Sequence, residues 1–414
     1  MPIPGPEHKE ILSFLNEAGC IHNFTAEGLP VYNELYLCHA PEERLFTHGV
    51  WQNGIIPQLG NSKNDNDELE RFHKLMEGYK NAVDASGKPL FALPVDDSAF
   101  TPETIALDNI SFVDFLKQQG FTSDKVFWYA NYCCRDDYGT ESAKTSAFAG
   151  IHYFAGRRGL AANAENGDVL TWPQGNGFLA DKLQQHTKGN IKTNALVYRV
   201  EEGPDNMCHV YYNKAGTDAT VRIIARKVLM ATPQFINKRL LSGRQLNYDA
   251  FSYAPWMVAN LTLKNAPLDR SDNRPLSWDN VLYKSDGLGY INSCHQHTKL
   301  HQKQVVLTYY KPLSTGEPAQ MRQQAHAKDI AAFQQEIIAD LKRAHPHIEE
   351  EIENLDVWLW GHAMARPTLG FITGNERKQA KQTINGTIYF AHSDLGLPVF
   401  EEAFTKATVL PKKW

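Results

Sequence analysis

An α/β protein made of two structural units follows from three features of the chain. It has 414 residues, 42% of them hydrophobic and 21% charged, which is enough apolar mass for a large core. The first 150 residues carry their apolar side chains at helical spacing, whereas those between about 165 and 240 alternate or run on as in strands. Near the end, a β-prone run at 387–391 empties into Ser393, Asp394 and Gly396 ahead of a helix-like segment. Strand, acidic turn and helix N-terminus in that order put a ligand site at the carboxyl end of an α/β strand.

The elements follow in order. A first helix is expected over 7–17, with Ile11, Leu12 and Leu15 on one face and Gly19 past its end. A second, over 65–82, brings Leu69, Phe72, Leu75, Met76 and Tyr79 together, and a third starts at Ser111 with Asp114 in a capping position. The period then changes. Residues 191–200, 209–212 and 221–225 read as strands, and Val228-Leu-Met-Ala231 reads as a buried parallel strand. In 250–380, short strands such as 304–310 surround one amphipathic helix whose core face is Ile330, Phe333, Ile337 and Leu341.

Composition excludes several classes. A net charge of -5 gives no basis for binding nucleic acid, and the small cluster Arg377, Lys378 and Lys381 reads as a solvated face. No stretch reaches the roughly 20 apolar residues of a membrane span, so none is expected. Six cysteines (Cys20, Cys38, Cys133, Cys134, Cys208 and Cys294) are irregularly spaced, as in a reduced, cytoplasmic protein. The adjacent pair Cys133-Cys134, beside Arg135, is either buried packing or a reactive thiol site.

Gly175-Asn-Gly-Phe-Leu-Ala180 matches the G-x-G-x-x-G/A dinucleotide pattern and precedes a helix-like run over 178–186. The segment before it, 168–174, holds a proline and only two aliphatic residues, so a Gly-rich helix start used for close packing is the better reading.

The motif at 386–403 resembles the last flavin-contacting motif of the FAD-dependent amine oxidase and phytoene desaturase superfamily. There an acid meets the ribityl chain and the next helix points its N-terminus at the cofactor. The matching acid is Asp394, with His392 and Ser393 beside it, and the helix would contribute Phe400, Glu402 and Ala403. That superfamily also runs through a Gly-rich turn and helix, a strand pairing with the adenine, a three-strand excursion and a buried strand ending Ala-x-Pro. The order is similar to 175–183, 196–200, 207–226 and 228–233 here. The resemblance implies Val197 as the adenine-side backbone contact, with Ala231 and Pro233 against the dinucleotide. More widely, the chain looks like a bacterial group of NAD(P)/FAD-binding oxidoreductases. This likeness rests on 128–139, Gly150-Ile-His-Tyr-Phe-Ala155, Trp172-Pro-Gln-Gly-Asn-Gly177, Tyr253-Ala-Pro-Trp256, Trp278-Asp-Asn-Val281, Trp360-Gly-His-Ala-Met-Ala-Arg-Pro367 and Phe390-Ala-His-Ser-Asp394. Trp360 is taken from it as a cofactor-side residue.

The superfamily opens with G-x-G-x-x-G, whereas this chain opens Met1-Pro-Ile-Pro-Gly-Pro6. The fold expected is an FAD/NAD(P)-binding Rossmann-like domain without its first β-α-β unit, from 151–240 and 381–414. A discontinuous α+β substrate domain would come from 1–150 and 241–380. The sheet edge left open makes a homodimer through that edge an expectation. The function implied is oxidation of a small-molecule substrate, small or apolar, by hydride transfer to FAD. The alternative is a truncated remnant, or a ligand-binding protein, that no longer holds the flavin.

For the chemistry, Arg135-Asp136-Asp137 is the densest polar group in an aromatic segment. Buried, it leaves a carboxylate to act as acid or base; exposed, it is a charged turn before Gly139. Both readings are open, and Asp136 and Asp137 are equivalent at this level. His362 is a candidate proton relay, as are His152 and His392, against the reading of each as a core histidine. Residues 128–138, Trp256, Tyr290, Tyr309, Tyr310, Trp358 and Trp360 are candidate walls of a cavity. His295, His297 and His301 lack a completing ligand set, so no metal is expected.

Overall fold

A computed structural model describes residues 1–187, 189–203, 206–267, 276–298 and 304–409. The chain begins with α1 (Lys9–Glu17), the hairpin β1 (Ile21–Phe24) and β2 (Pro30–Tyr32), and strands β3 (Glu43–Thr47) and β4 (Val50–Asn53). Helices α2 (Lys63–Asn81), α3 (Pro102–Asp108), α4 (Phe112–Gln118), α5 (Asp124–Tyr138), α6 (Ala147–Ala155) and α7 (Gly177–Gln185) follow. Next come β5 (Ala195–Glu202), β6 (Cys208–Lys214), β7 (Thr220–Ala225), β8 (Val228–Met230), α8 (Gln234–Leu240) and β9 (Tyr253–Leu263). Then β10 (Asp279–Leu282), β11 (Gly289–Asn292), β12 (Val305–Pro312), α9 (Pro318–Ala327), α10 (Ile330–Leu341) and α11 (Ile348–Glu351). The last elements are β13 (Ile352–Ala365), α12 (Asn375–Ala380), β14 (Ile388–Phe390) and α13 (Phe400–Val409).

Local signals place the helices. Ser62 and Asp65 form a reciprocal capping box on α2, which buries Leu69, Phe72 and Met76. Ser111 accepts from the Asp114 backbone N–H to start α4. Helix α5 ends at Gly139, whose φ of 60° is left-handed. A side chain there would also meet Trp256: an added Cβ would lie 2.4 Å from its Nε1. These helices share one core with Phe91, Phe112, Phe115 and Phe148.

Against this helical layer lies a sheet in the order β13-β9-β12-β11-β10-β3-β4. Strand β3 pairs in parallel with β10, so residues 43–47 belong with 279–282. The first 150 residues are therefore not purely helical. Strands β3 and β4 are too short for a local period and are held by partners distant in sequence. Strands β9 and β13 are longer than expected, at 11 and 14 residues, and pair along most of that length.

Strands β5, β6 and β7 form a separate antiparallel sheet. Strand β8 pairs in parallel with β14, Val228 beside Ile388 and Met230 beside Phe390, as the apolar run at 228–231 predicts. The carboxyl ends of this pair open towards α8.

Candidate functional site

Between α5, α6 and the large sheet lies a cavity of about 570 Å³. Helix α5 presents Tyr132, Asp136 and Asp137 to it; α6 and the residues after it present Tyr153 and Arg157; the sheet presents Glu43, Asp279 and Tyr310. Four carboxyl side chains thus converge on aromatic walls. The segment 135–137 is helix rather than turn, and Arg135 does not pair with its neighbours. Its guanidinium turns outwards to the backbone carbonyls of Ser285 and Asp286.

Arg157 takes the place expected of Arg135, with its Nη2 3.1 Å from Asp137 Oδ2. Burial works against the Arg157 charge, but Asp137 and Glu401 outweigh it and hold the guanidinium protonated. Burial raises the proton affinity of Asp137, with Arg157 opposing. Asp136 is pushed well above the carboxylate range by burial and then by the charges of Asp137 and Asp279. Burial, with Glu43 adding to it, pushes Asp279 up to about 7 even though Tyr310 donates to Oδ1 at 3.0 Å and Tyr132 to Oδ2 at 3.4 Å. A space of about 530 Å³ that shares Trp278, Ile291 and Thr308 with this cavity continues to the Gly-rich turn at Gly175. Segment 168–174 before that turn makes only isolated bridges, Pro2 to Val169 and Leu37 to Leu170, and Trp172 stacks on Phe178. It is not the strand of a dinucleotide fold.

The second cluster sits at the carboxyl ends of β8 and β14. Asp394 is 2% exposed; its Oδ2 accepts from the Gln234 backbone N–H at 2.8 Å and the Tyr253 hydroxyl at 2.5 Å. His392 Nδ1 lies 2.9 Å from Asp394 Oδ1. Ala231 and Pro233 flank the same point, because the Ala391 N–H donates to the Met230 carbonyl and aligns the two strand ends. Val197 on β5 and His362 on β13 face α8 from other sides; His362 stacks on Phe235 at 4.3 Å. Partial enclosure lowers the proton affinity of His362, with Arg322 and Arg239 adding to it.

The remaining predicted residues lie apart. Phe400 and Ala403 line a groove between α13 and α1. Glu402 is fully buried, accepts from the Val95 backbone N–H and is paired to Lys406. Trp360 is 57% exposed on β13, and Trp358 is exposed near it; Trp256, Tyr290 and Tyr309 are core. Arg377 is not part of a solvated face: it is 2% exposed and, with Lys381 and Lys406, converges on Asp96. His152 is a core histidine, 2.7 Å from the Ala92 carbonyl and lowered to about 4 by burial. Burial pushes the Cys133 thiol up and Cys134 up to about 12, so neither presents a thiolate near neutral pH. Among the described residues no group of metal-ligating side chains forms, and His301 lies outside them. No described helix is long and apolar enough to cross a membrane.

Sequence reasoning missed Glu43, Asp279, Tyr153, Arg157 and Gln234. Asp279 lies in the Trp278-Asp-Asn-Val281 motif, but no local pattern points Glu43 or Arg157 at the same space.

This arrangement of a mixed sheet, a helical layer and a small parallel pair is the fold of FAD-dependent amine oxidases. Putrescine oxidase with putrescine bound matches at TM-score 0.65, with 14% identity over 99% of this chain and 87% of that one. Cyclohexylamine oxidase from Brevibacterium oxydans IH-35A matches at 0.67 with 12% identity, covering 100% and 87% of the two chains. A putative protoporphyrinogen oxidase from Exiguobacterium sp. 255-15 matches at 0.64 with 12% identity, covering 100% and 86%. No family model matches the chain, and no curated protein does.

The residues at the ends of β8 and β14 fit a polar cofactor. The amide of Gln234 is wholly buried with neither Oε1 nor Nε2 partnered within the protein, and Ala231 leaves the adjoining strand end exposed. A buried amide without partners costs about 1–3 kcal/mol, which a hydrogen-bonding ligand would recover.

Proposed function

We propose that the chain is a flavin-dependent oxidoreductase that oxidises a cationic amine bound in the acidic cavity. The observation that carries this reading is the convergence of Glu43, Asp136, Asp137 and Asp279 on an aromatic space, with Arg157 engaged by only one of them. Such walls attract a compact cation and shield its apolar chain from water. The amine-oxidising neighbours of the same fold support the choice of an amine over an apolar alkene.

FAD would be held by Asp394, His392, Ser393 and Pro233, with Ala231 allowing close approach and Val197 on the adenine side. The domain division at 150, 240 and 380 is part of the same proposal. Bound FAD supplies a two-electron acceptor for hydride leaving the carbon next to nitrogen. The chain's own part is to bind the amine, exclude water with Tyr132, Tyr153 and Tyr310, and hold the carboxyls that take up charge.

The test is the visible spectrum of the full chain after incubation with excess FAD and desalting, followed by anaerobic addition of a primary alkylamine. A retained flavin band that bleaches with amine is expected, and Asp394→Ala should lose the band. A colourless wild-type protein would remove the flavin assignment; a flavin that no amine bleaches would remove the substrate class.

A further inference from the structure

Asp136 and Asp137 are neighbours on α5, yet they meet different surroundings. Asp137 is compensated by Arg157 at 3.1 Å. Asp279 is compensated by the Tyr310 and Tyr132 hydroxyls. Asp136 lines the cavity and has neither a hydrogen bond nor an ion pair to any described residue. The titratable and charged groups around the space are Tyr132 and Asp137 on α5, Tyr153 and Arg157 at the end of α6, Lys80 on α2, Glu43 on β3, Asp279 on β10, Tyr310 on β12 and the Met1 amino group, which donates to the Leu170 carbonyl. Arg157 already belongs to Asp137.

An ammonium nitrogen has no lone pair, so hydride cannot leave its α-carbon until one N–H proton is removed. We infer that Asp136 is the catalytic residue that takes that proton: of the two cavity carboxyls, Asp136 and Glu43, that accept no hydrogen bond from a described side chain, it is the one that stands beside both Asp137 and Asp279. The step is R-CH2-NH3+ with the Asp136 carboxylate giving R-CH2-NH2 with the Asp136 carboxylic acid. One N–H bond breaks, one O–H bond forms, both charges vanish and no oxidation state changes. A dry, aromatic cavity favours this transfer, because desolvation strengthens a carboxylate as a base and weakens an ammonium's hold on its proton. Burial and the nearby carboxylates act on Asp136 in this direction. Asp137 is unsuited to the role, since Arg157 favours its charged form.

The inference rests on the amine reading, and one experiment separates the two. Burial and the neighbouring carboxyls favour the protonated form of Asp136 in the empty cavity, so a cation that binds beside it drives a proton out to solvent. Titration calorimetry of the full chain with butyltrimethylammonium, which has no proton to lose, in two buffers of different ionisation enthalpy counts protons released. Wild type should release about one proton or more per bound cation, since Asp279 is also held near 7. Asp136→Asn should release about one fewer, Asp136→Glu should restore the release, and Glu43→Gln should keep most of it; thermal melting checks that each variant is folded. An Asn variant that releases as many protons as wild type, or a wild type that releases none, overturns the role of Asp136 while leaving the cation site standing. A wild type that binds neither butyltrimethylammonium nor butylamine overturns the cation site, and the inference with it.

Discussion

Replacing Arg157 with methionine tests whether the ion pair to Asp137 is what fixes the chain after α6 against α5. The Arg157 and Asp137 side chains are 24% and 16% exposed, so the pair is shielded from solvent on most sides. Removing one partner of a buried pair costs about 3–5 kcal/mol when the other must stay charged. Asp137 can escape part of this by taking a proton, so about 2–4 kcal/mol is expected at pH 8. Unfolding entropy of about 2.1 cal/mol/K per residue over 414 residues is about 0.9 kcal/mol/K, which makes the loss about 2–5 °C in Tm. The sign of the pH dependence follows from Asp137. Burial already makes it bind its proton more tightly folded than unfolded. Without Arg157 that gap widens, the folded chain binds more protons than the unfolded one over a wider range, and stability falls as pH rises through it. Melting Arg157→Met beside wild type at pH 5, 6, 7 and 8 should show a deficit largest at pH 8 and shrinking towards pH 5. Arg157→Lys, which keeps the charge, should recover most of it. An equal deficit at every pH, or none at pH 8, would refute the reasoning.

Two further changes probe the frame of the site. Gly139→Ala meets both a left-handed φ of 60° and an added Cβ 2.6 Å from the Ala254 Cβ, so denaturant unfolding should show a loss of about 1–3 kcal/mol. Asp96→Asn leaves Arg377, Lys381 and Lys406 facing one another; allowing for the 34% exposure of the Asp96 side chain, about 1–2 kcal/mol should be lost at pH 7. Lys381, already lowered to about 8 by burial and Arg377, would fall further without Asp96. At that lysine the folded variant binds fewer protons than the unfolded chain, so its deficit against wild type in denaturant unfolding should be smaller at pH 8 than at pH 6.

Much of the fold is legible along the chain because its signals are local. The apolar spacing of 65–82 and 330–341, the caps at Ser62 and Ser111, and the unbroken run at 228–230 each lie within one or two turns or one strand. The 386–403 motif marked the strand end where Asp394, Ala231 and Pro233 meet, because the turns that carry these residues follow β8 and β14 immediately in sequence. Strands β3 and β4 were not legible, since pairing with β10 rather than their own composition holds them.

The cavity belongs to the other class. Sequence left Asp136 and Asp137 open between a buried acid or base and an exposed turn, held the two equivalent, and offered Arg135 as their partner if buried. Which carboxyls are compensated depends on Arg157 reaching back from beyond α6 and on Tyr132 meeting Asp279 across 147 residues. Periodicity and capping are properties of neighbouring residues, so the chain carries them in plain order. Proton affinity is a property of what stands across a space, and only folding brings those groups face to face.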